Sequence, residues 1–321
     1  MDLIYTNSSR VDQGVLLNYE LDLAFGADEN NFECTITADA HCCESGSFLY
    51  FEGTEYGGIV DVIRSKSDTQ EVIYSGRTWH GILNSKVIEP DSGSAYLTLS
   101  GEANNVIAEL LSRLALTDLF EASGEDSGLT IRNYQMNRYI TGYDGIVKML
   151  SSVGAKLCVK LQGGKVVLSA VVKHDYSRDE DFDSDLVDFD ISKQCKTVNH
   201  LVCLGSGELE NRMVIHLYAD KAGNISQTQT QFGMDEMAAV YDYPSVESES
   251  ELLSGGTEEL KKLCEPDKLS VDFDDTSDSY DVGDTVGAFD NITGISVAAV
   301  IMKKIVTIKN GHITISYKVG D

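Results

Sequence analysis

Three features of the sequence predict a mainly β fold with α+β character, in which two barrel-like sheet domains flank a small α+β domain. Residues 2 to 99 run as short alternating apolar and polar segments broken by polar or glycine-rich turns, the period of half-buried strands. Between residues 100 and 178 the alternation gives way to helical spacing followed by a hairpin. The flanking regions share an echo: IVDVIRSKSDTQEVIYSG near the start and KIVTIKNGHITISYKVG at the end both read as an apolar hairpin with a small turn, an aromatic exit and a glycine. At 321 residues the chain is long for one core, since domains average about 150 residues. The expected boundaries are 1–99, 100–178 and 179–321, the last with a helical insertion around 234–264.

Taken in order, Phe32, Cys34 and Ile36 alternate with Glu33, Thr35 and Thr37, which puts one set on a core face. Residues Phe48 to Phe51 form a short apolar run, and IVDVIRSKSDTQEVIYSG folds back around Ser67 and Asp68. With three prolines in the whole chain, the strands are little interrupted. EANNVIAELLSRL then sets Val106, Ile107, Leu110 and Leu111 at helical spacing, with Ser100 as N-cap and Glu102 in the first turn. A second helix over YDGIVKMLSSV buries Ile146, Val147, Leu150 and Val153 and ends at Gly154. KLCVKL, QGGK and VVLSAVV make a tight hairpin at once. The acidic run RDEDFDSDLVDFD reads as a solvated linker, after which strands resume at HLVCLG and continue through RMVIHLYADKAGNISQTQTQ, turning at Lys221 to Gly223. Helical sequence is expected from about Met234 to Cys264, with Leu252, Gly256, Leu260 and Leu263 on one face and Gly256 allowing close packing. The closing strands turn at Asn310-Gly311, the strongest hairpin signal in the chain.

Twenty-five basic against 52 acidic residues leave a formal charge of −27. Such a surface repels phosphate, which argues against nucleic-acid binding by charge but suits a wall past which DNA slides. Hydrophobic content of 42% with 24% charge is that of a globular protein, and no apolar run approaches the roughly 20 residues of a membrane span. The start MDLIYTNSSR lacks the basic and apolar regions of a secretory signal, so cytoplasmic synthesis is expected and the sequons at Asn7, Asn224 and Asn291 carry no meaning. Seven cysteines in such a chain read as reduced thiols.

Few residues group as chemistry would require. YSGRTWHGIL, residues 74 to 83, holds Ser75, Arg77 and His80 beside the single tryptophan, Trp79. It reads better as scaffold, with Tyr74 ending a strand, Gly76 and Gly81 bracketing a tight connection, Trp79 as anchor and Arg77 paired to an acid. Cys195, His200 and Cys203 have tempting metal spacing, yet a strand sends both cysteines to one face and the histidine to the other. His41, Cys42 and Cys43 lack a second ligand pair nearby. Asp179, Asp181 and Asp183 match the start of a calcium loop, but Ser184 stands where the loop needs glycine and Asp190 where it needs glutamate. The aspartates at 272, 274, 275, 278, 281 and 284 are too evenly spread to be specific. Ser206 lies directly between two glycines, which is not a nucleophile elbow. No phosphate-binding glycine loop is present, and a working carboxylate pair cannot be told from the acidic background. The expectation is therefore no catalytic, cofactor or metal residue and no enzymatic activity. Two alternatives stay open: a peptidoglycan hydrolase, which would need Cys158, Cys203 or a histidine in an activating setting, and a receptor- or carbohydrate-binding module, which would show exposed aromatic pairs.

Long stretches carry a resemblance. GGIVDVIRSKSDTQEVIYSGRTWHGILNSKVIEP, YLTLSGEANNVIAELL, GELENRMVIHLYADKAGNISQTQTQFGMDEMAAVYDY and YDVGDTVGAFDNITGISVAAVIMKKIVTIKNGHITISYKVGD, spanning Gly57 to Asp321, resemble the baseplate hub, or tail-tip, proteins of phages and prophages of Gram-positive bacteria. The resemblance implies a homotrimer in which each subunit supplies two similar β-barrels, giving a pseudo-sixfold ring that meets a hexameric tail tube above and a threefold spike or fibre below. It further implies a place in the virion tail, DNA as passing cargo only, and no small-molecule cofactor. Because the sequence closes on its last strand at Asp321, the resemblance implies a cell-wall hydrolase on a separate protein.

Overall fold

In a computed structural model, residues 2–178, 181–183, 196–264, 272–275, 280–289, 291–294, 296–309 and 311–320 are described. The fold is mainly β, as the alternation predicts. The chain divides into two compact units, residues 1–190 with 271–321, and residues 191–270. This differs from the three segments expected from sequence. Strand Ser296–Lys309 pairs antiparallel with Glu20–Gly26, so strands from both ends of the chain join one sheet. The apolar core also runs without a break from Phe48 and Trp79 to Leu168, and nothing separates residue 99 from residue 100.

Among the described residues that sheet has 12 strands. In hydrogen-bonded order its path is Asp181–Asp183, Thr285–Phe289, Ser296–Lys309, Glu20–Gly26, Asn31–Thr37, Glu71–Thr78, Gly57–Lys66, Phe48–Tyr50, Leu3–Thr6 and Asp12–Leu16. His312–Gly320 pairs with both Ser296–Lys309 and Asp272–Asp275. Among the described residues this path stays open and closes into no barrel. The first hairpin turns where expected, with Lys66 opposite Glu71, and the last joins Lys309 to His312.

A bulge between Ile301 and Lys303 decides what lies beneath the sheet. Before it, Ala299 and Ile301 are buried; after it, Lys304, Val306 and Ile308 are. One inserted residue exchanges the inward and outward sets, and the exchange carries a lysine into the interior. The partner strand accommodates the extra backbone at Gly26, whose φ is +135°. A side chain there would run into the Met302 carbonyl oxygen, which instead accepts the Ala27 N–H at 3.0 Å.

Helix α1 (Trp79–Asn84) follows the strand Glu71–Thr78 and is capped by the Thr78 hydroxyl, which accepts the Gly81 N–H at 3.3 Å. Gly76 and Gly81 thus lie inside a strand and a helix and do not bracket a turn. Helix α2 (Ala103–Arg113) buries Val106, Ile107, Leu110 and Leu111. Its cap is Glu102, accepting from the Asn105 N–H at 2.8 Å, and not Ser100. Ser100 belongs to the strand Leu97–Glu102 paired with Thr130–Met136, where its hydroxyl donates to Asn133 Oδ1 at 3.2 Å. Helix α3 (Gly142–Ser151) buries Ile146, Met149 and Leu150, with Val147 and Val153 packed at its margin. The hairpin Ala155–Gln162 and Lys165–Val172 turns through Gly163 and Gly164, both at positive φ, the type I′ arrangement.

Among its described residues the second unit has a four-stranded sheet ordered Ile225–Ser226, Val214–Ala219, His200–Leu204 and Ala238–Asp242. Helix α4 (Glu249–Cys264) joins the same core through Leu252 and Leu260 with Leu201 and Leu217. Any side chain at Gly256 would strike Cys203 Sγ, so the close packing expected there is real. The helix is shorter than its expected range of 234–264. Residues 238 to 242 form a strand parallel to His200–Leu204, and Pro244 disfavours helix at the residue before it.

Candidate functional site

The bulge places Lys304 among charged groups from three other parts of the first unit. Glu55 comes from the turn in which Phe51 N–H donates to Tyr56 O at 2.9 Å. Asp281 and Asp284 come from the turn before Thr285–Phe289, where Asp281 N–H donates to Asp284 Oδ2 at 3.1 Å. Lys156 stands on the strand Ala155–Gln162.

Lys304, with its side chain 2% exposed, reaches Glu55 Oε1 at 2.9 Å and Asp281 Oδ1 at 3.6 Å, and its Nζ sits 5.3 Å from the centre of the Tyr56 ring. Lys156 Nζ bonds Asp281 Oδ2 at 2.7 Å and Asp284 Oδ2 at 2.6 Å. The Asp284 side chain is fully buried and accepts the His174 N–H at 2.9 Å. His80 Nε2 lies 3.5 Å from Glu55 Oε2, and the ring packs against Phe25 and Tyr143.

Beside the network opens a cavity of about 260 Å³ whose walls include Glu55, His80, Lys156, Cys158, Asp281 and Lys304. Burial pulls the Asp281 carboxyl upward, but the Lys156 hydrogen bond and the Lys156 and Lys304 charges outweigh it and hold the group below its usual range. Burial opposes the charge on Lys156, and its two aspartate bonds more than offset this and raise its pKa. Burial, then the Asp281 and Glu55 charges, push the Cys158 thiol up, the opposite of what activates a nucleophile. Burial, then the Lys304 charge, lower His80 to about 3 against a weaker pull from Asp281. At neutral pH the arrangement is a neutral histidine beside two lysines that are ion-paired to three carboxylates, which ties four segments of the chain together.

The His80 value sets a pH dependence. An unfolded histidine takes its proton near pH 6.5, whereas folded His80 refuses it until about 3. The unfolded state therefore binds more protons throughout that interval, and stability falls as pH falls. The carboxylates held low, including Asp61 and Asp281, add losses of the same sign only as their unfolded values near 4 are approached. Between pH 6.5 and 5 the unfolding free energy of the wild type, measured by urea titration, is expected to drop by up to about 1.4 kcal/mol per pH unit from His80. A His80→Gln variant should show a flatter profile over the same interval.

The residues singled out in the sequence do not converge. Ser75 faces Glu33 and Val62 across the sheet. Arg77 forms a two-pronged pair with Asp61, both contacts 2.8 Å, and donates to Ser85 Oγ. Trp79 is fully buried. Tyr74, also buried, accepts the Cys42 and Cys43 N–H groups on its hydroxyl, 2.7 Å from His41 Nδ1, so the His-Cys-Cys run is a loop folded over this oxygen. Cys203 is buried, while His200 on the opposite face meets Glu236 Oε1 at 2.6 Å and His216 Nδ1 at 2.8 Å. Cys195, Asp179, Ser184, Asp190 and Asp278 lie outside the described residues. Asp181 and Asp183 belong to a strand. Ser206 sits in a connection, its N–H donating to Val246 O and its carbonyl accepting from Met213. Among the described residues no group of three or more metal-ligating side chains occurs, six cysteines are free, and no helix is long and apolar enough to cross a membrane.

Sequence reasoning passed over Asp281 and Asp284 as background and did not reach Glu55, Lys156 or Lys304. One signal was present: Lys303 and Lys304 interrupt the otherwise apolar run VAAVIMKKIVTIK, where a strand buried on one face can hide at most one of the two.

No protein-family profile and no curated protein matches the chain. Solved structures do, and those similar to it over nearly its whole length include phage and prophage tail and baseplate proteins. The tail protein from Neisseria meningitidis MC58 has a TM-score of 0.52 at 14% identity, covering 100% of this chain and 96% of that one. The 43 kDa tail protein of prophage MuSo2 from Shewanella oneidensis has a TM-score of 0.56 at 11% identity, covering 99% and 98%. A chain of the phage P2 baseplate in its activated conformation has a TM-score of 0.52 at 12% identity, covering 96% and 91%. At these identities the likeness establishes a shared fold.

Proposed function

We propose that this protein is a structural, non-enzymatic hub of a phage tail or tail-like particle. In this reading it is made in the cytoplasm of a Gram-positive host and assembled into the virion tail. It forms a homotrimer that joins the hexameric tail tube to a threefold spike, tip or fibre and lines the channel through which DNA passes. The observation that carries the reading is end-to-end likeness: solved tail and baseplate proteins match 96% to 100% of the chain and are themselves covered over 91% to 98% of their length. The sequence resemblance to hub proteins points the same way, and so does the net charge of −27, since a conduit must not bind its cargo. Under this proposal the strands from residues 1–99 and those from residues 179–321 serve as the two similar ring elements, turning a threefold assembly into a pseudo-sixfold one.

Light scattering on the purified protein tests the trimer. One chain is 35.1 kDa, and the expected molar mass is three times that. A monomer in solution that also fails to decorate isolated tail tubes in electron micrographs would overturn the proposal. Release of peptidoglycan fragments by the purified chain would favour a hydrolase instead.

A further inference from the structure

The sheet of the second unit carries a chain of three polar side chains that the hub role leaves unused. In the antiparallel pairing His200 stands opposite Tyr218 and Val202 opposite His216, so the two histidines are diagonal neighbours on one face, within reach of each other. Helix α4 packs on the other face, where Leu201, Cys203, Ile215 and Leu217 are buried. His200 Nε2 meets His216 Nδ1 at 2.8 Å, and His200 Nδ1 meets Glu236 Oε1 at 2.6 Å. The Tyr218 ring stacks on His200 with centres 4.4 Å apart. His200 is thus held on three sides with its side chain 12% exposed, while His216 is open to solvent.

The hydrogens in this chain are constrained. A carboxylate only accepts, so His200 Nδ1 carries a hydrogen and turns it to Glu236. Between His200 Nε2 and His216 Nδ1 there is room for one hydrogen, so at least one of these nitrogens presents a lone pair. A histidine that donates one ring N–H to a carboxylate and offers its other nitrogen outward is arranged as a metal ligand, the carboxylate fixing the tautomer and raising the basicity of the ligating nitrogen. The spacing then selects among metals. Two nitrogens, each about 2.0 Å from an ion, lie about 2.8 Å apart in the right-angled positions of a tetragonal site and about 3.3 Å apart in a tetrahedral one. From the ring spacing and the Glu236 bond we propose that His200 Nε2 and His216 Nδ1 bind a divalent cation of tetragonal preference, Cu²⁺ or Ni²⁺. The ion takes the place of the hydrogen between the rings, which passes to His216 Nε2 or to solvent as the exposed His216 ring tilts. Water fills the remaining positions. Two protein ligands make this a surface site, in keeping with the lack of any three-ligand group among the described residues. The site is independent of the tail reading.

Calorimetric titration of the untagged full chain with Ni²⁺, Zn²⁺ and Mg²⁺ tests the assignment, together with electron paramagnetic resonance of added Cu²⁺ after the accessible thiols, which would reduce it, have been alkylated. One saturable Ni²⁺ site is expected and no Mg²⁺ binding there, because imidazole suits nickel whereas magnesium takes oxygen ligands. The copper spectrum should show coupling to two nitrogens. Glu236→Ala, which removes a group that touches the ligand and not the ion, should cost about tenfold in Ni²⁺ affinity, the lower end of the range for such partners because the Glu236 side chain is 31% exposed. His216→Ala, at an exposed position, should fold normally and cost more than Glu236→Ala. Nickel binding no tighter than magnesium, a His216→Ala chain that binds unchanged, or a copper spectrum with a single nitrogen overturns the site. Zinc binding tighter than nickel overturns the tetragonal assignment, and an unchanged Glu236→Ala chain overturns the part given to the carboxylate. The copper spectrum is read on the wild-type sequence, so it decides even if a variant fails to fold.

Discussion

Replacing Trp79 by alanine is expected to lower the thermal midpoint of the first unit by roughly 10 °C and to leave the second unit unchanged. Trp79 is 0% exposed and meets Phe48 edge-on at 5.2 Å. Its ring also fills the space in which a side chain at Gly57 would have to sit. Truncating a buried tryptophan costs about 3 to 5 kcal/mol, because the transfer energy of the ring and the cavity left behind add. For a body of this size each kcal/mol moves the midpoint by about 2 to 4 °C. The indole Nε1 is buried without a partner, so part of the lost burial is offset by relief of that group, and the lower end of the range is expected. Scanning calorimetry should resolve the effect as a shift in one transition. A midpoint within 2 °C of the wild type would mean that Trp79 is not the anchor of this core.

How far the fold was legible depends on whether a signal was local. The hairpin around Ser67 and Asp68, the alternation of Phe32, Cys34 and Ile36, and the glycine turn at Gly163 and Gly164 are local, and the structure contains each of them. The pairing of Ser296–Lys309 with Glu20–Gly26 is not. It joins segments nearly a chain length apart, and no periodicity reveals which edge strand meets which. The helix start shifted from Ser100 to Glu102 because strand pairing with Thr130–Met136 holds Ser100 extended, a tertiary contact overriding a good local cap. The short strand Ala238–Asp242 was read as helix because its apolar residues fit either period. The site was the least legible part, since its central lysine is turned inward by a bulge. Alternation places Lys304 with Met302 and Val300; the inserted residue places it on the side of Ile301 and Ala299 instead. Asp281 and Asp284 gain meaning only once Lys156 and Lys304 are brought to them.

That dependence makes Lys304→Met the other substitution with a large expected effect. Methionine fills nearly the same volume without charge, so packing is preserved and electrostatics are isolated. The change removes the cation that Glu55 bonds at 2.9 Å and that lies 3.6 Å from Asp281, at a site where the lysine side chain is 2% exposed. Breaking a buried pair by deleting one partner costs about 3 to 5 kcal/mol, because the remaining charge loses its compensation while staying desolvated. Adding Glu55→Gln should recover a large part of the loss, and the double-mutant cycle measures the coupling directly. The pH dependence supplies a further sign. Without Lys304, Glu55 loses the cation that favours its ionised form, so protonation relieves more of the cost in the variant than in the wild type, and the gap between the two should narrow as pH falls toward 4. Lys304 is also a cause of the low His80 value, so its removal should let His80 charge at a higher pH and narrow the gap further. A variant as stable as the wild type at pH 7, or a gap that widens on acidification, would show that the network does not depend on Lys304 for its balance.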